Sequence, residues 1–138
     1  MRYAASCTFL ALSILLTGCV SIGMAGGPDK QALASTTVKT YWHDVNHGKI
    51  KQAYDLLTPG VRSGITENQY YQNMIGLLTN AGSITVAVRN TSVNGDQGTV
   101  KVTLFSPKSK PLNAWQHLFW QNGSWLISDN NAYVSQHR

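Results

Sequence analysis

Met74–Val88 reads MIGLLTNAGSITVAV, and its period changes in the middle. Before Gly82, the apolar residues Tyr70, Met74, Leu77, Leu78 and Ala81 recur at three- and four-residue steps, the stripe of an amphipathic helix. After Gly82, Ile84, Val86 and Val88 alternate with Thr85, Ala87 and Arg89, the two-residue period of a half-buried strand. Gly82 is where the helix stops, because glycine turns freely after the last helical residue. Helical patterns lie upstream of this point and strand patterns downstream. That segregation predicts an α+β domain.

Upstream, the spacing predicts two more helices. Ala34, Val38, Tyr41, Trp42 and Val45 form one stripe that starts near Asp29, with Gly48 as its stop. Ile50, Ala53, Tyr54 and Leu57 form a shorter one, which Thr58-Pro59-Gly60 is expected to end because proline cannot continue a helix. Thr66 opens the third helix, and Gln69 three residues later completes a capping box.

Downstream, Asn94-Gly95 and Asn122-Gly123 mark two hairpins. In the first, a two-residue loop at Asn94-Gly95 would set Val88 against Lys101. A three-residue loop, Asn94-Gly95-Asp96, sets Val88 against Val102 and Val86 against Leu104, which keeps one face apolar and is the expected register. In the second, a two-residue turn pairs Trp120 with Trp125 and Leu118 with Ile127 on one face. Trp115, His117, Phe119 and Leu126 then share the other. Both faces carry aromatics, so one packs on the helices and the other is covered by a partner or lines a cavity. Between the hairpins, Ser106–Pro111 (SPKSKP) reads as a solvated loop whose lysines protect a sheet edge.

The N-terminus is of another kind. One positive charge in Met1-Arg2-Tyr3 precedes the uncharged stretch 4–16, which is too short for a membrane span and fits the apolar core of an export signal. It leads into Leu16-Thr17-Gly18-Cys19, which resembles the lipobox of bacterial lipoproteins. That resemblance implies a leader over 1–18 and a diacylglycerol thioether on Cys19. Cys7 leaves with the leader, so the mature domain has neither free thiol nor disulfide. Residues 19–28 comprise Cys19 and a small, glycine-rich tether, 20–28, whose nine residues reach about 30 Å. The domain spans 29–138 and is expected on the outer side of the cytoplasmic membrane or in the outer membrane. The net charge of +5 is spread along the chain, without the clustered footprint of a nucleic-acid binder, and suits anionic headgroups better.

The phrases IKQAYDLLTP and QNGSWLISD resemble the nuclear transport factor two-like superfamily, and more narrowly its small bacterial lipoproteins. The pattern lies in Ala53, Leu56, Leu57 and Pro59, then Gly123, Trp125 and Ile127. It implies three N-terminal helices packed on a curved antiparallel sheet of about four strands, forming a cone. A cystatin-like fold is the nearest alternative, but that class has one main helix.

Enzymes of this superfamily place an Asp, His or Tyr on the cone wall, where an apolar cavity tunes its pKa. Here no strand has a carboxylate in its middle. Asp44 and His43 lie off the first helical stripe, Asp55 lies off the second, and Glu67 sits in a first turn. No residue is assigned as catalytic. His43 and His47 have chelating spacing on a helix, but Lys39 shares their face and they read as solvated. No cofactor or metal is implied. His117 reads as a core or interface histidine, with a pocket base as its alternative. Tyr41, Trp42, Tyr54 and Tyr70 read as core, or as the lining of a cavity for a small apolar ligand. Arg89 reads as the solvent-facing member of its strand.

The expected function is a non-enzymatic envelope module that binds a small ligand or a partner protein. Its contact surface is the aromatic sheet face, either Trp115, His117 and Phe119 or the opposite side with Trp120 and Trp125. A homodimer through the sheet is one way to cover that face. Two alternatives stand beside it: an isomerase or dehydratase using His117 and a pocket tyrosine, and an immunity or exclusion lipoprotein that blocks a partner at the membrane.

Overall fold

The computed structural model describes residues 29–128. The leader, Cys19 and its tether, and residues 129–138, lie outside them. Four helices, α1 (Lys30–Asn46), α2 (Ile50–Asp55), α3 (Pro59–Gly64) and α4 (Glu67–Ala81), precede four strands, β1 (Thr85–Asn94), β2 (Gln97–Ser106), β3 (Ser109–Gln121) and β4 (Ser124–Ile127). The strands form one antiparallel meander in sequence order. The α+β architecture is the expected one.

Local chemistry sets each helix. The Asp29 carboxylate caps α1 by accepting from the backbone N–H of Gln31 (3.0 Å) and Ala32 (3.1 Å). The stripe Ala34, Val38, Tyr41, Trp42 and Val45 is buried throughout. Gly48, at φ +74°, turns the chain away. In α4, Thr66 and Gln69 form the capping box reciprocally. One expectation changes. Pro59 does not end a helix but starts α3, with Thr58 as N-cap. Proline fits a first turn because the amide it lacks would be unpaired there.

Asp44, although off the apolar stripe, is buried. It stands on the rim of the α1 stripe. Its carboxylate lies 3.6 Å from His43 Nδ1, and its backbone oxygen accepts from Lys49 N at 2.8 Å.

The first hairpin has the expected partners, Val86 with Leu104 and Val88 with Val102, through a different device. Asn94 pairs with Gln97, so the turn is only Gly95-Asp96, and the extra residue sits in β1 as a bulge at Arg89. The bulge puts Arg89 and Asn90 on one face and returns Thr91 and Val93 to the other. The second hairpin pairs Trp120 with Trp125 and Leu118 with Ile127 as expected. Asn122 (φ +50°) and Gly123 (φ +81°) supply the left-handed turn it needs. Ser106–Pro111 is not an open loop. β2 and β3 close through Pro107-Lys108, with Ser106 opposite Ser109 and a register shift beside Phe105. Pro111 is tolerated there because the ladder is already interrupted.

The helices cover one sheet face. Gly98, Val100, Val102, Leu104, Ala114, Gln116, Leu118, Trp125 and Ile127 are the buried strand residues on that side. Removing a Leu- or Ile-sized side chain from water is worth about 1.5–3 kcal/mol each, so this layer holds the fold. Gly98 makes room for Trp125, since a Cβ there would come within 3.2 Å of the indole. Trp125 in turn donates from Nε1 to Lys30 O at 2.8 Å, tying β4 to the start of α1. The Asn46 side-chain amide donates to Ile84 O, and its Oδ1 accepts from Ile84 N at 2.7 Å, which fixes where β1 begins. The free edge of β4 is met by Leu57: Ile127 N donates to Leu56 O (2.7 Å) and Thr58 N to Ile127 O (2.9 Å).

Candidate binding face

The sheet separates the predicted site residues into two groups. Tyr41, Trp42, Tyr70 and Trp125 are buried between helices and sheet, with Tyr54 and Trp120 half-buried against them. Tyr70 is fully enclosed and donates to the Tyr41 hydroxyl at 2.7 Å. Burial, and then the Tyr41 hydroxyl beside it, push the Tyr70 phenol well above its ordinary range, so it is neutral. Tyr54 donates to Ile65 O at 2.8 Å, bracing the α3–α4 connection. Among the described residues these aromatics pack together on the side of the sheet where the cone would hold a ligand. Trp42 Nε1 is buried without an acceptor among the described residues.

Trp115, His117 and Phe119 lie on the outer face, away from the helices. Trp115 is 49% exposed and Phe119 39%, and His117 is exposed between them. His117 and the core tyrosines therefore stand on opposite sides of the sheet. Among the described residues, the pairing of His117 with a pocket tyrosine that an isomerase or dehydratase would need is not formed.

The outer face holds more than alternation alone suggested. Phe105, 37% exposed, belongs to it. Arg89 stands over the Phe105 ring at 5.9 Å, and its Nε donates to Thr103 Oγ1 at 2.9 Å. Thr103 passes the chain on, donating to Asn113 Oδ1 at 2.8 Å. Lys101 Nζ lies 5.5 Å from the Trp115 ring centroid. At the other end, Gln97, Thr99, His117 and Phe119 border an open hollow of about 350 Å³. The strands contribute no carboxylate to this face. Sequence reasoning missed Phe105 and Lys101. Their signal was the parity of β2, in which Val100, Val102 and Leu104 turn inward and Lys101, Thr103 and Phe105 must turn out.

Two other clusters are less suited to a site. A hollow of about 510 Å³ lies between α2 and the start of α4, but its cation, Lys51, is already engaged by Asp55 (3.3 Å) and Glu67 (3.8 Å). His43 and His47 stack at 4.1 Å, and His47 Nδ1 lies 2.8 Å from His43 O, which takes that nitrogen from any ligand set. Among the described residues no group of three or more His, Cys, Asp or Glu side chains is placed to hold a metal.

No family model and no curated protein matches the chain. Solved structures do match. A candidate NTF2-like transpeptidase from Campylobacter jejuni aligns at 11% identity over 70% of this chain and 98% of its own, with a TM-score of 0.55. A SEC-C motif containing protein from Rhodopseudomonas palustris aligns at 11% identity over 72% and 78%, with a TM-score of 0.57. A candidate dehydratase of the NTF2-like family from Streptomyces avermitilis aligns at 11% identity over 70% and 89%, with a TM-score of 0.53. At such identities the likeness is one of fold, and fold does not carry activity. The domain has the nuclear transport factor two-like fold.

Proposed function

We propose that this protein is a lipid-anchored module of a bacterial envelope that binds through the outer face of its sheet rather than inside the cone. One observation carries the reading. The interior is occupied by its own tyrosines and tryptophans, whereas Trp115, Phe119 and Phe105 stand exposed on one face with His117, Lys101 and Arg89 among them. Exposed aromatics grouped in this way favour an interaction surface over a solvated one. Leu16-Thr17-Gly18-Cys19 supports the anchor, and among the described residues no helix is long and apolar enough to cross a membrane.

Replacing Cys19 by serine is expected to move the protein from membranes to the soluble fraction. A Cys19→Ser chain that is exported and still sediments with membranes contradicts the anchor. Native mass spectrometry on protein taken gently from its host tests the face. The wild type is expected to retain a ligand or partner that the Trp115→Ser/Phe119→Ser double variant lacks. An adduct kept by both would place the working site elsewhere.

A further inference from the structure

The register of β2 and β3 aligns the exposed rings. Phe119 lies opposite Gln97, and Trp115 lies opposite Lys101. Phe105 lies four residues beyond Lys101, in the direction away from Phe119. At about 3.3 Å per residue, the rings follow one line down the sheet at intervals of about 13 Å. Polar groups occupy the intervals. His117 and Thr99 lie between Phe119 and Trp115, and the exposed Asn113, bonded to the buried Thr103, lies between Trp115 and Phe105. Lys101 and Arg89 flank the line, with no carboxylate opposing them from any strand.

We propose that the outer sheet face binds an extended anionic polysaccharide, stacking sugar rings on Phe119, Trp115 and Phe105 and pairing acid groups with Lys101 and Arg89. The inference rests on the outer face being the working surface. A pyranose ring offers an apolar C–H face to an aromatic ring and hydroxyls at its rim. Stacking points separated by hydrogen-bonding side chains match that chemistry. Lys101 rests on a ring that is exposed to water, where such a contact is weak, so a ligand carboxylate draws it off readily, while Arg89, whose Nε is held by Thr103, offers its remaining guanidinium N–H groups. The hollow of about 350 Å³ beside Phe119 gives one end of the chain a seat.

Charge and spacing disfavour the other occupants. A two-fold dimer on this face sets one copy's basic face against the other's, with no acid from any strand between them. A bilayer asks for a continuous apolar patch, and here His117 and the Thr103–Asn113 pair interrupt it. A nucleic-acid strand asks for a cationic track matching each phosphate, denser than Lys101 and Arg89 supply.

The test is calorimetric titration of the full-length protein in mild detergent. The probes are a hexamer of β-1,4-linked mannuronate, neutral cellohexaose, a thymidylate dodecamer and phosphatidylglycerol vesicles. The expected result is that the mannuronate hexamer binds about tenfold more tightly than cellohexaose. Trp115→Ala should weaken it about tenfold, and Lys101→Gln should remove the preference for the acidic sugar. Trp115 and Lys101 stand outside the core, so these variants keep the fold, which the unfolding midpoint verifies. Phe119→Ala provides a second, independent variant. Absence of mannuronate binding overturns the polysaccharide alone. Vesicle or thymidylate binding that is tighter than mannuronate binding and that Trp115→Ala weakens, or dimerisation lost in Trp115→Ala, also overturns it while leaving the outer face as the working surface. Sugar binding that survives both ring variants sinks both readings.

Discussion

Tyr70 is the residue on which the interior turns. Its ring is enclosed, its hydroxyl has a partner in Tyr41, and its phenol is held above the ordinary value of 10.0. The unfolded chain therefore ionises this group first. The stability it contributes is complete below about pH 10 and falls, as the pH rises further, by up to about 1.4 kcal/mol per pH unit. Tyr70→Phe is expected to cost about 1–2 kcal/mol near neutrality, because the Tyr41 hydroxyl loses a buried partner. Between about pH 8 and about pH 11 the gap between wild type and variant should narrow by about 1.4 kcal/mol. Urea unfolding at the two pH values measures it, and a constant gap would mean that Tyr70 reaches water.

At the level of single residues the core was largely legible, because helix period alone assigns Tyr41, Trp42 and Tyr70 to the inward stripes. The outer face was not. Trp115 and Phe119 have the same two-residue period as Leu118 and Trp120, so alternation says that two faces exist without saying which packs. The deciding information is the pairing with β2, where Lys101 falls opposite Trp115. The pairing was hidden by the turn at Pro107-Lys108 and the shift beside Phe105. A six-residue loop over Ser106–Pro111 would have set Phe105 against Leu112 and Lys101 against Gln116.

Among the elements, β1 shows how a register can be right for a different reason. An extra residue in the turn and an extra residue in the strand change parity by the same single step. Alternation therefore requires the step but does not place it. The structure places it at Arg89, whose guanidinium then reaches Thr103 and the Phe105 ring. Deleting Arg89 removes the step and drives Val86 and Val88, or else Thr91 and Val93, to the wrong face. Deletion is expected to abolish cooperative unfolding. Arg89→Ala, which keeps the bulge, should cost less than about 1 kcal/mol. Thermal unfolding followed by near-ultraviolet circular dichroism separates the two, and a deletion variant as stable as Arg89→Ala would show that the bulge does not set the register. The second hairpin needed no such device, because Asn122-Gly123 supplies the left-handed turn and both flanking strands alternate cleanly.

For the whole molecule, helices cover one side of a four-stranded meander and leave the other side bare. The aromatic interior and the open face are the two observations on which the proposed outer working surface rests. A tether of about 30 Å would hold that face within reach of the bilayer and of whatever polymer lies against it. The most direct measurement is hydroxyl-radical footprinting in intact cells compared with the purified protein. Tyr71, 45% exposed on α4, serves as the internal reference. Trp115 and Phe119 are expected to be protected in cells while Tyr71 is oxidised equally in both. Equal oxidation of all three in both settings would show that the face is uncovered where the protein works, and would contradict the account.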